Sequence, residues 1–291
     1  MRTKGIIYTI ASAILFGITP LITTLIYQYG TNSMTVVFFR SLFVIPMLAL
    51  IMKIKHISFN ISLRDLKNIA IIAIFGSGLT TILLFTSYSY IDIGCATTLH
   101  FLYPIFVSLL CYFLYKEHLG KRKILSLCMA LLGSIFFFEW KQSSNQIGLL
   151  LAIASACTYA FYMVQLEKTK LTKLNAYKIS FYLAIFILLE TLVYHFIFPS
   201  ITFILPMQAY ILIIVLSIIS SFLAVILLQK GISYLGSSTA SIYCLFEPIT
   251  SIIVGYLFLQ EPLTLNKIIG CVLILSSLVL ISREKKDSSS F

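Results

Sequence analysis

The sequence predicts an all-α integral membrane protein, with ten transmembrane helices arranged as two inverted five-helix repeats. Composition is the first observation behind this prediction. Of the 291 residues, 59% are hydrophobic and 11% are charged, against roughly 45–50% and about 25% in soluble domains. The mean hydropathy is +1.01. A chain this apolar is expected to lie in a bilayer.

Ten apolar runs, the second observation, are long enough to cross the bilayer as helices. A spanning helix needs about 20 mostly apolar residues, whereas each strand of an outer-membrane barrel has only about 10 residues of alternating polarity. The runs therefore predict a helical bundle. They cover approximately residues 5–28, 34–52, 68–90, 94–115, 123–139, 147–166, 177–198, 208–229, 236–258 and 266–282.

Positive charge is concentrated on alternate loops between these runs. Of the 21 Lys and Arg residues, 18 fall on one set of loops and on the chain ends, Lys141 and Lys267 fall on the opposite set, and Arg40 lies inside a helix. Because cytoplasmic loops carry an excess of Lys and Arg, we expect a multi-pass protein of the cytoplasmic membrane with both termini in the cytoplasm. The net charge of +11 is then explained by this topology and by the attraction of basic loops to anionic lipid. No nucleic-acid partner is expected.

An internal repeat is the third observation. With a shift of 144 residues, TSYSYIDIGCATTLHFLYPIFVSLLCYFLYKEHLGKRKI aligns with KGISYLGSSTASIYCLFEPITSIIVGYLFLQEPLTLNKI, which pairs Pro104 with Pro248 and Glu117 with Glu261. With a shift of 143, GIIYTIASA aligns with GLLLAIASA. The repeat unit is five helices long. It predicts a first repeat over residues 1–142 and a second over 143–282, followed by a disordered cytoplasmic tail at 283–291.

The odd number of helices in each repeat determines how the halves are oriented. Five spans bring the second repeat into the membrane from the side opposite to the first. Inverted repeats of this kind recur in secondary transporters, whose substrate site lies near the midplane where the halves meet. The repeat therefore favours a transporter that works by alternating access. A channel or a non-transporting membrane partner subunit is the alternative function.

Three stretches resemble the EamA-type members of the drug/metabolite transporter superfamily. They are FFRSLFVIPMLAL, LYPIFVSLLCYFLYKEHLGKRKILSLCMALLGSIFF and LFEPITSIIVGYLFLQEPLTLNKIIGCVLILSSLVLI. The resemblance covers nearly the whole chain, and its most specific feature is the proline-then-glutamate spacing found once in each half. It implies a ten-helix carrier, often an exporter of amino acids, other small metabolites or toxic compounds.

Three charged side chains lie well inside predicted helices: Arg40, Glu190 and Glu247. Each would cost about 2.5–3.5 kcal/mol if it faced lipid, so all three should face the bundle interior. Arg40 either anchors helix 2 by bonding carbonyls and a carboxylate, or neutralises a substrate carboxylate. A pair with Glu247 or Glu190 is geometrically possible. Glu247 could form a polar wall of the cavity and could also bind protons, which are a candidate second partner.

Two prolines in repeat-equivalent helices predict kinks near mid-depth. Proline has no N–H to donate to the carbonyl four residues earlier, so Pro104 and Pro248 each release one carbonyl, for gating, substrate contact or packing alone. Side chains three or four apart share a helix face. This places Thr97 and His100 on one face with Pro104, and Tyr243 on a matching face with Glu247.

Further aromatic side chains complete the predicted substrate site. Tyr88, Tyr103 and Tyr159 are placed to stack on an aromatic or cationic substrate, although most of the 17 Tyr and 23 Phe must face lipid or core. His100 could equally be a hydrogen-bonded core residue. The predicted substrate-binding set is thus Arg40, Tyr88, Thr97, His100, Tyr103, Tyr159, Tyr243 and Glu247.

The remaining motifs exclude most other functions. The six cysteines form no CxxC pair and the four histidines are scattered, so neither a disulfide framework nor a metal site is predicted. No HExxH or GxSxG motif is present. We expect no enzyme activity and no cofactor. The expected partners are a small-molecule substrate and the lipid bilayer, in a monomer or a homodimer.

Overall fold

The computed structural model describes residues 1–137, 145–260 and 262–283, and in these ranges the chain folds into a bundle of helices. We number its long helices α1 to α10. Four of them contain internal breaks or wide turns described below. The bounds are α1 Arg2–Tyr27, α2 Ser33–Ile54, α3 Leu63–Ser87, α4 Ile93–Tyr115, α5 Lys121–Ile135, α6 Gln146–Lys168, α7 Ala176–Ile197, α8 Met207–Leu235, α9 Ser237–Tyr243 with Phe246–Leu259, and α10 Leu265–Ser282.

Nine of the described helices are long and apolar enough to cross a membrane. The protein is therefore a multi-pass membrane protein. The exception is α5, predicted at 123–139, which has 15 residues in the described part of the chain. Residues 138 and 139 lie outside the described residues, as do Lys141, Glu261 and positions 284–291 of the predicted tail.

Two helices differ in length from the apolar runs that predicted them. α3 begins five residues before its run, because the Ser62 side chain accepts a hydrogen bond from the Asp65 N–H and caps the helix. α8 continues six residues beyond its run, through the polar Gln229 and Lys230. Hydropathy finds the span that must avoid water, whereas capping decides where the helix itself begins.

α4 and α9 are interrupted just before their prolines, where the sequence predicted kinks. The first part of α4 ends at His100 and the second begins at Tyr103. α9 breaks in the same way between Tyr243 and Phe246. Across both breaks the backbone bonds close after three residues instead of four, as in Leu102 N–H to the Leu99 carbonyl.

Wide π-helical turns in α3 and α8 were not predicted from the sequence. They cover Ala73–Gly78 and Ser217–Ala224, and their first residues are 144 positions apart. Such turns are rare and often occur at functional sites. Both segments are rich in glycine or serine, which leaves room for the displaced backbone.

Other local features also recur after 143 or 144 residues. Asn32 and Asn175 cap α2 and α7 with their side chains. Lys116 and Gln260 end α4 and α9 in the left-handed conformation, with φ of 52° and 56°. The first half of the chain and the second therefore start and stop these helices by the same devices.

Helices of each half pack against helices of the other half. α1 packs against α8 and α9, and its counterpart α6 packs against α3 and α4, while α2 packs against α7 and α5 against α10. Two glycines mark equivalent contacts: a Cβ on Gly5 would lie 2.7 Å from Tyr234 Cβ, and one on Gly148 would lie 2.8 Å from Tyr90 Cβ. Small residues allow helices this close in a membrane, where tight packing is the main source of association.

Candidate functional site

A central cavity of about 120 Å³ lies where the two halves meet. Every long helix except α5 and α10 contributes to its wall. Many lining residues are 143 or 144 positions apart in the sequence. These pairs are Phe16 with Tyr159, Thr19 with Tyr162, Ser41 with Ala184, Ser77 with Ser221, and Leu84 with Leu228.

Arg40 lines the central cavity from α2. Its guanidinium donates long hydrogen bonds to Ser220 Oγ at 3.4 Å and to Thr81 Oγ1 at 3.3 Å. Its Cζ lies 5.6 Å from the centre of the Phe85 ring. The Nε atom is buried and has no hydrogen-bond partner in the part of the chain that the structure describes. Arg40 is thus held by two hydroxyls, one on each of the helices that carry a π-helical turn.

No described carboxylate lies within 4.0 Å of Arg40. Glu247 lines the same cavity but is not its ion-pair partner. Glu190 is not a lining residue. Its Oε2 is buried without a hydrogen-bond partner among the described residues. Of the possible pairs that the sequence left open for Arg40, neither forms in this conformation.

Glu247 stands among tyrosines at the break in α9. It lines the central cavity together with Tyr88, Tyr159 and Arg40. Its backbone lies against α1, where a Cβ on Gly17 would be 2.6 Å from the Glu247 carbonyl oxygen. The absence of a side chain at Gly17 therefore lets α1 approach this part of α9.

Aromatic rings form the wall of the cavity on the side of α4 and α6. The rings of Tyr103 and Tyr159 meet edge to face with centres 4.8 Å apart, and Tyr159 stacks on Tyr162 at 5.9 Å. The His100 ring lies 5.2 Å from that of Tyr159. His100 Nδ1 and Ser155 Oγ are 2.9 Å apart, so the histidine is fixed by a hydrogen bond inside the core.

Six of the eight predicted substrate-binding residues line the central cavity: Arg40, Tyr88, Thr97, His100, Tyr159 and Glu247. The other two, Tyr103 and Tyr243, are buried, at 0% and 2% exposure, and do not line it. Pro104 is also buried, and Pro248 lines a second cavity. Whether any of these residues binds substrate stays a prediction.

Hydroxyl side chains are the feature of the site that sequence reasoning missed. They are Thr19, Ser41, Ser77, Thr80, Thr81, Ser180, Ser220 and Ser221. On α3, Ser77, Thr81 and Tyr88 recur at helical spacing on one face of an otherwise apolar run. That periodic polar stripe was the available signal.

A second cavity of about 470 Å³ adjoins the central one. It lies between α1, the start of α4, and α9, and the two cavities share Pro20, Thr97 and Phe101. Asp92 and Lys267 lie at its far end. The central cavity therefore has a continuation toward one end of the bundle.

No group of three or more potential metal ligands occurs among the described residues. The described cysteines are free thiols. The polar groups around the central cavity are hydroxyls, one guanidinium, one imidazole and one carboxylate, which suit hydrogen bonding and charge pairing with an organic solute.

Comparisons with known proteins identify the family. The EamA-like transporter family matches residues 3–138 and again residues 146–283. An uncharacterized transporter of Synechocystis sp. is 28% identical over 89% of this chain and 82% of its own. One from Clostridium kluyveri is 24% identical over 97% and 94% of the two chains.

A third relative and a solved structure agree with this assignment. The uncharacterized transporter YoaV of Bacillus subtilis is 25% identical over 78% of this chain and 79% of its own. A protein of known crystal structure covers 96% of both chains with a TM-score of 0.76 at 14% identity, a likeness that concerns the fold alone. With two successive matches that together span nearly the whole chain, the protein belongs to the EamA-like transporter family.

Proposed function

We propose that this protein is a secondary transporter that moves a small zwitterionic metabolite, such as an amino acid, across the cytoplasmic membrane by alternating access. The proposed direction is export, with both termini in the cytoplasm. The family and the names of its relatives support transport in general. The substrate class, the site and the mechanism are argued from the cavity.

The observation that carries the proposal is the pair of unneutralised charges in one cavity. Arg40 and Glu247 both line it, and neither has an ion-pair partner within 4.0 Å among the described residues. Buried charges are normally paired, because removing one from water is costly. A solute that carries a carboxylate and an ammonium group would supply both missing partners at once.

The surrounding groups suit the same ligand. Ser220 and Thr81 hold the guanidinium in place, and the Ser220 hydroxyl can also donate to a bound carboxylate. Tyr88 and Tyr159 line the same cavity as Glu247, and an ammonium group bound there would gain from their ring faces. In the absence of substrate, a proton on Glu247 would remove its buried charge, which offers a route for proton coupling.

An inverted two-fold arrangement of residues 1–142 and 143–282 supports alternating access. The proposal of ten spans in this arrangement rests on the recurring caps, breaks and glycine contacts and on the two family matches. The Arg2 guanidinium donates to the Ile281 carbonyl at 2.8 Å, which brings the start of α1 and the end of α10 to one face. That contact is what an even number of spans requires.

A thermal-shift screen of the purified protein tests the substrate class. Each amino acid is compared with the matched amine, which lacks the carboxylate, and the matched acid, which lacks the ammonium group. A ligand that binds the native state raises the unfolding temperature, so we expect shifts with the zwitterion and none with either analogue. Stabilisation by an amine or an acid alone would contradict the two-charge site.

Counterflow in proteoliposomes tests the mechanism. A carrier preloaded with unlabelled substrate should exchange it for labelled substrate from outside. Failure to exchange a ligand that binds would refute alternating access and favour a channel or a non-transporting partner subunit.

A further inference from the structure

The ends of α4, α6 and α9 that the charge pattern assigns to the cytoplasm are tied together by a polar network. Lys168 at the end of α6 forms an ion pair with Glu117, which follows α4, and lies 3.7 Å from Glu167. The other oxygen of Glu167 accepts a hydrogen bond from the Ser237 N–H, at 2.6 Å, where α9 begins. We call Glu117, Glu167, Lys168 and Ser237 the inner network.

Neighbouring contacts reinforce this closure. Gln165 donates to the Tyr115 hydroxyl at 3.1 Å, and Lys168 Nζ lies 5.2 Å from the centre of the Tyr115 ring. Behind the network, Cys111 is fully buried, and its Sγ is 3.6 Å from Ser237 Oγ. The charged side chains are 20–32% exposed, so water can reach and break the network when the helices separate.

The equivalent positions at the opposite end of the bundle line a cavity. The counterparts of Glu167 and Ser237 are Thr24 and Ile93, 143 and 144 residues earlier, and both line the second cavity of about 470 Å³. The counterpart of Cys111 is Gly255, which also lines that cavity.

The reverse comparison gives the same result. The residues equivalent to the lining of the second cavity are mostly buried at the other end. Met163, Val164, Ser237, Ser238, Ser241, Leu245, Val107, Ser108 and Cys111 all have exposures of 3% or less. One set of positions therefore lines a cavity at one end of the bundle, whereas most of its counterparts at the other end are buried and line no such cavity.

We infer that the inner network is the cytoplasmic gate of the carrier and that the structure is its outward-facing state. This inference rests on the proposed function and on the topology predicted from charge. Two halves of similar sequence can exchange conformations at similar free energy. The inward-facing state would then separate α6 from α4 and α9 at the network, and would close α1 onto α4 and α9 across the second cavity.

Two native cysteines on α4 can report the state of each end. Cys95 lines the second cavity, and Cys111 lies behind the inner network. The experiment uses two full-length backgrounds, one that retains only Cys95 and one that retains only Cys111. Labelling rates are measured with a membrane-impermeant methanethiosulfonate, applied to right-side-out and to inverted vesicles.

The gate variants are Glu117→Gln and Lys168→Met, with Lys121→Met, an exposed lysine at the same end, as the matched control. In the background without gate changes, Cys95 should react from outside and Cys111 should be protected from both sides. Each gate variant should speed cytoplasmic labelling of Cys111 about tenfold, which corresponds to about 1.4 kcal/mol, and should slow labelling of Cys95. Lys121→Met should change neither rate.

A double variant that exchanges the two charged residues distinguishes an effect on the gate from misfolding. The double variant Glu117→Lys with Lys168→Glu should protect Cys111 more than either single gate variant does, because the pair between positions 117 and 168 is re-formed with reversed polarity, although the contact of Lys168 with Glu167 is lost. Unchanged Cys111 protection in both gate variants, or a Cys95 that does not react from outside, would overturn the inference. Labelling requires no substrate, so a failed ligand screen with the expected labelling would refute the proposed transport function alone.

Discussion

The two halves of the bundle share their architecture but not their chemistry. Both begin their second helix with an asparagine cap, carry a π-helical turn in the third and break the fourth before a proline. The charged positions differ. Arg40 aligns with Leu183, and Glu247 aligns with Tyr103. All four residues are at or beside the central cavity.

This difference separates two kinds of constraint. Caps, breaks and small residues determine the conformation and the packing of the backbone, so they recur where equivalent helices form in both halves. A ligand that is not itself symmetric needs an anion site on one side and a cation site on the other. The positions where the halves differ are therefore the better candidates for substrate recognition, and the positions where they agree are the better candidates for stability.

The largest effect is expected from Glu247→Gln. The change keeps the shape of the side chain and removes its charge, and hydrogen bonds to charged groups contribute about 1.5–3 kcal/mol. Transport in proteoliposomes should fall at least about tenfold or lose its pH dependence, with the protein still folded. Glu190→Gln, on α7 and outside the cavity, is the matched control and should retain transport. Normal pH-dependent transport by Glu247→Gln would exclude the proposed role.

Replacement of Arg40 is expected to affect binding nearly as much. Arg40→Met removes the group that would pair with the ligand carboxylate. A zwitterionic ligand should therefore no longer raise the unfolding temperature, while the unfolding temperature without ligand should change little. Leu183→Met, at the equivalent cavity position of the other half, should keep the ligand response. If Arg40→Met instead lowers the unfolding temperature strongly and a residual ligand shift persists, Arg40 is a packing anchor.

A smaller loss, of stability alone, is expected where α5 meets α10. A Cβ on Gly270 would lie 2.6 Å from the Gly133 carbonyl oxygen, so the helices must separate in Gly270→Ala. Overpacking of this kind costs about 1–3 kcal/mol, which thermal unfolding in detergent would detect. Gly94→Ala is the control, because nothing lies within 4 Å of a Cβ there. Equal stability of the two variants would contradict the close contact.

The smallest effects are expected at the paired helix caps. Asn32 Oδ1 accepts from the Thr35 N–H at 2.9 Å, and Asn175 Oδ1 from the Tyr177 N–H at 3.0 Å. Loss of such a cap costs about 1 kcal/mol, so Asn32→Ala and Asn175→Ala should each destabilise the protein by about that amount. Asn32→Ala should cost more, because Asn32 Nδ2 also donates to the Ser200 carbonyl at 2.6 Å. The two effects should add, because the sites share no partner. Asn60→Ala in an exposed loop should have little effect, and a cap variant as stable as this control would show that its cap does not stabilise the helix.

Much of the fold could be predicted because membrane helices are constrained locally. Apolar length located nine of the spans, and the proline spacing located the breaks in α4 and α9. The π-helical turns were missed because they depend on packing against other helices, as where Gly76 lies against Tyr162. The buried charges were found because each is conspicuous in an apolar run, whereas the cavity hydroxyls were hidden among serines and threonines that occur throughout.

The sequence by itself determined that the chain is a helical membrane protein, where its helices lie and which of its features recur. These properties depend on residues close together along the chain. Only the tertiary structure decided that Arg40 and Glu247 share a cavity without pairing, that Tyr103 and Tyr243 are buried and do not line it, and that a second cavity lies at one end of the bundle. Those facts depend on how residues far apart in the sequence pack against one another.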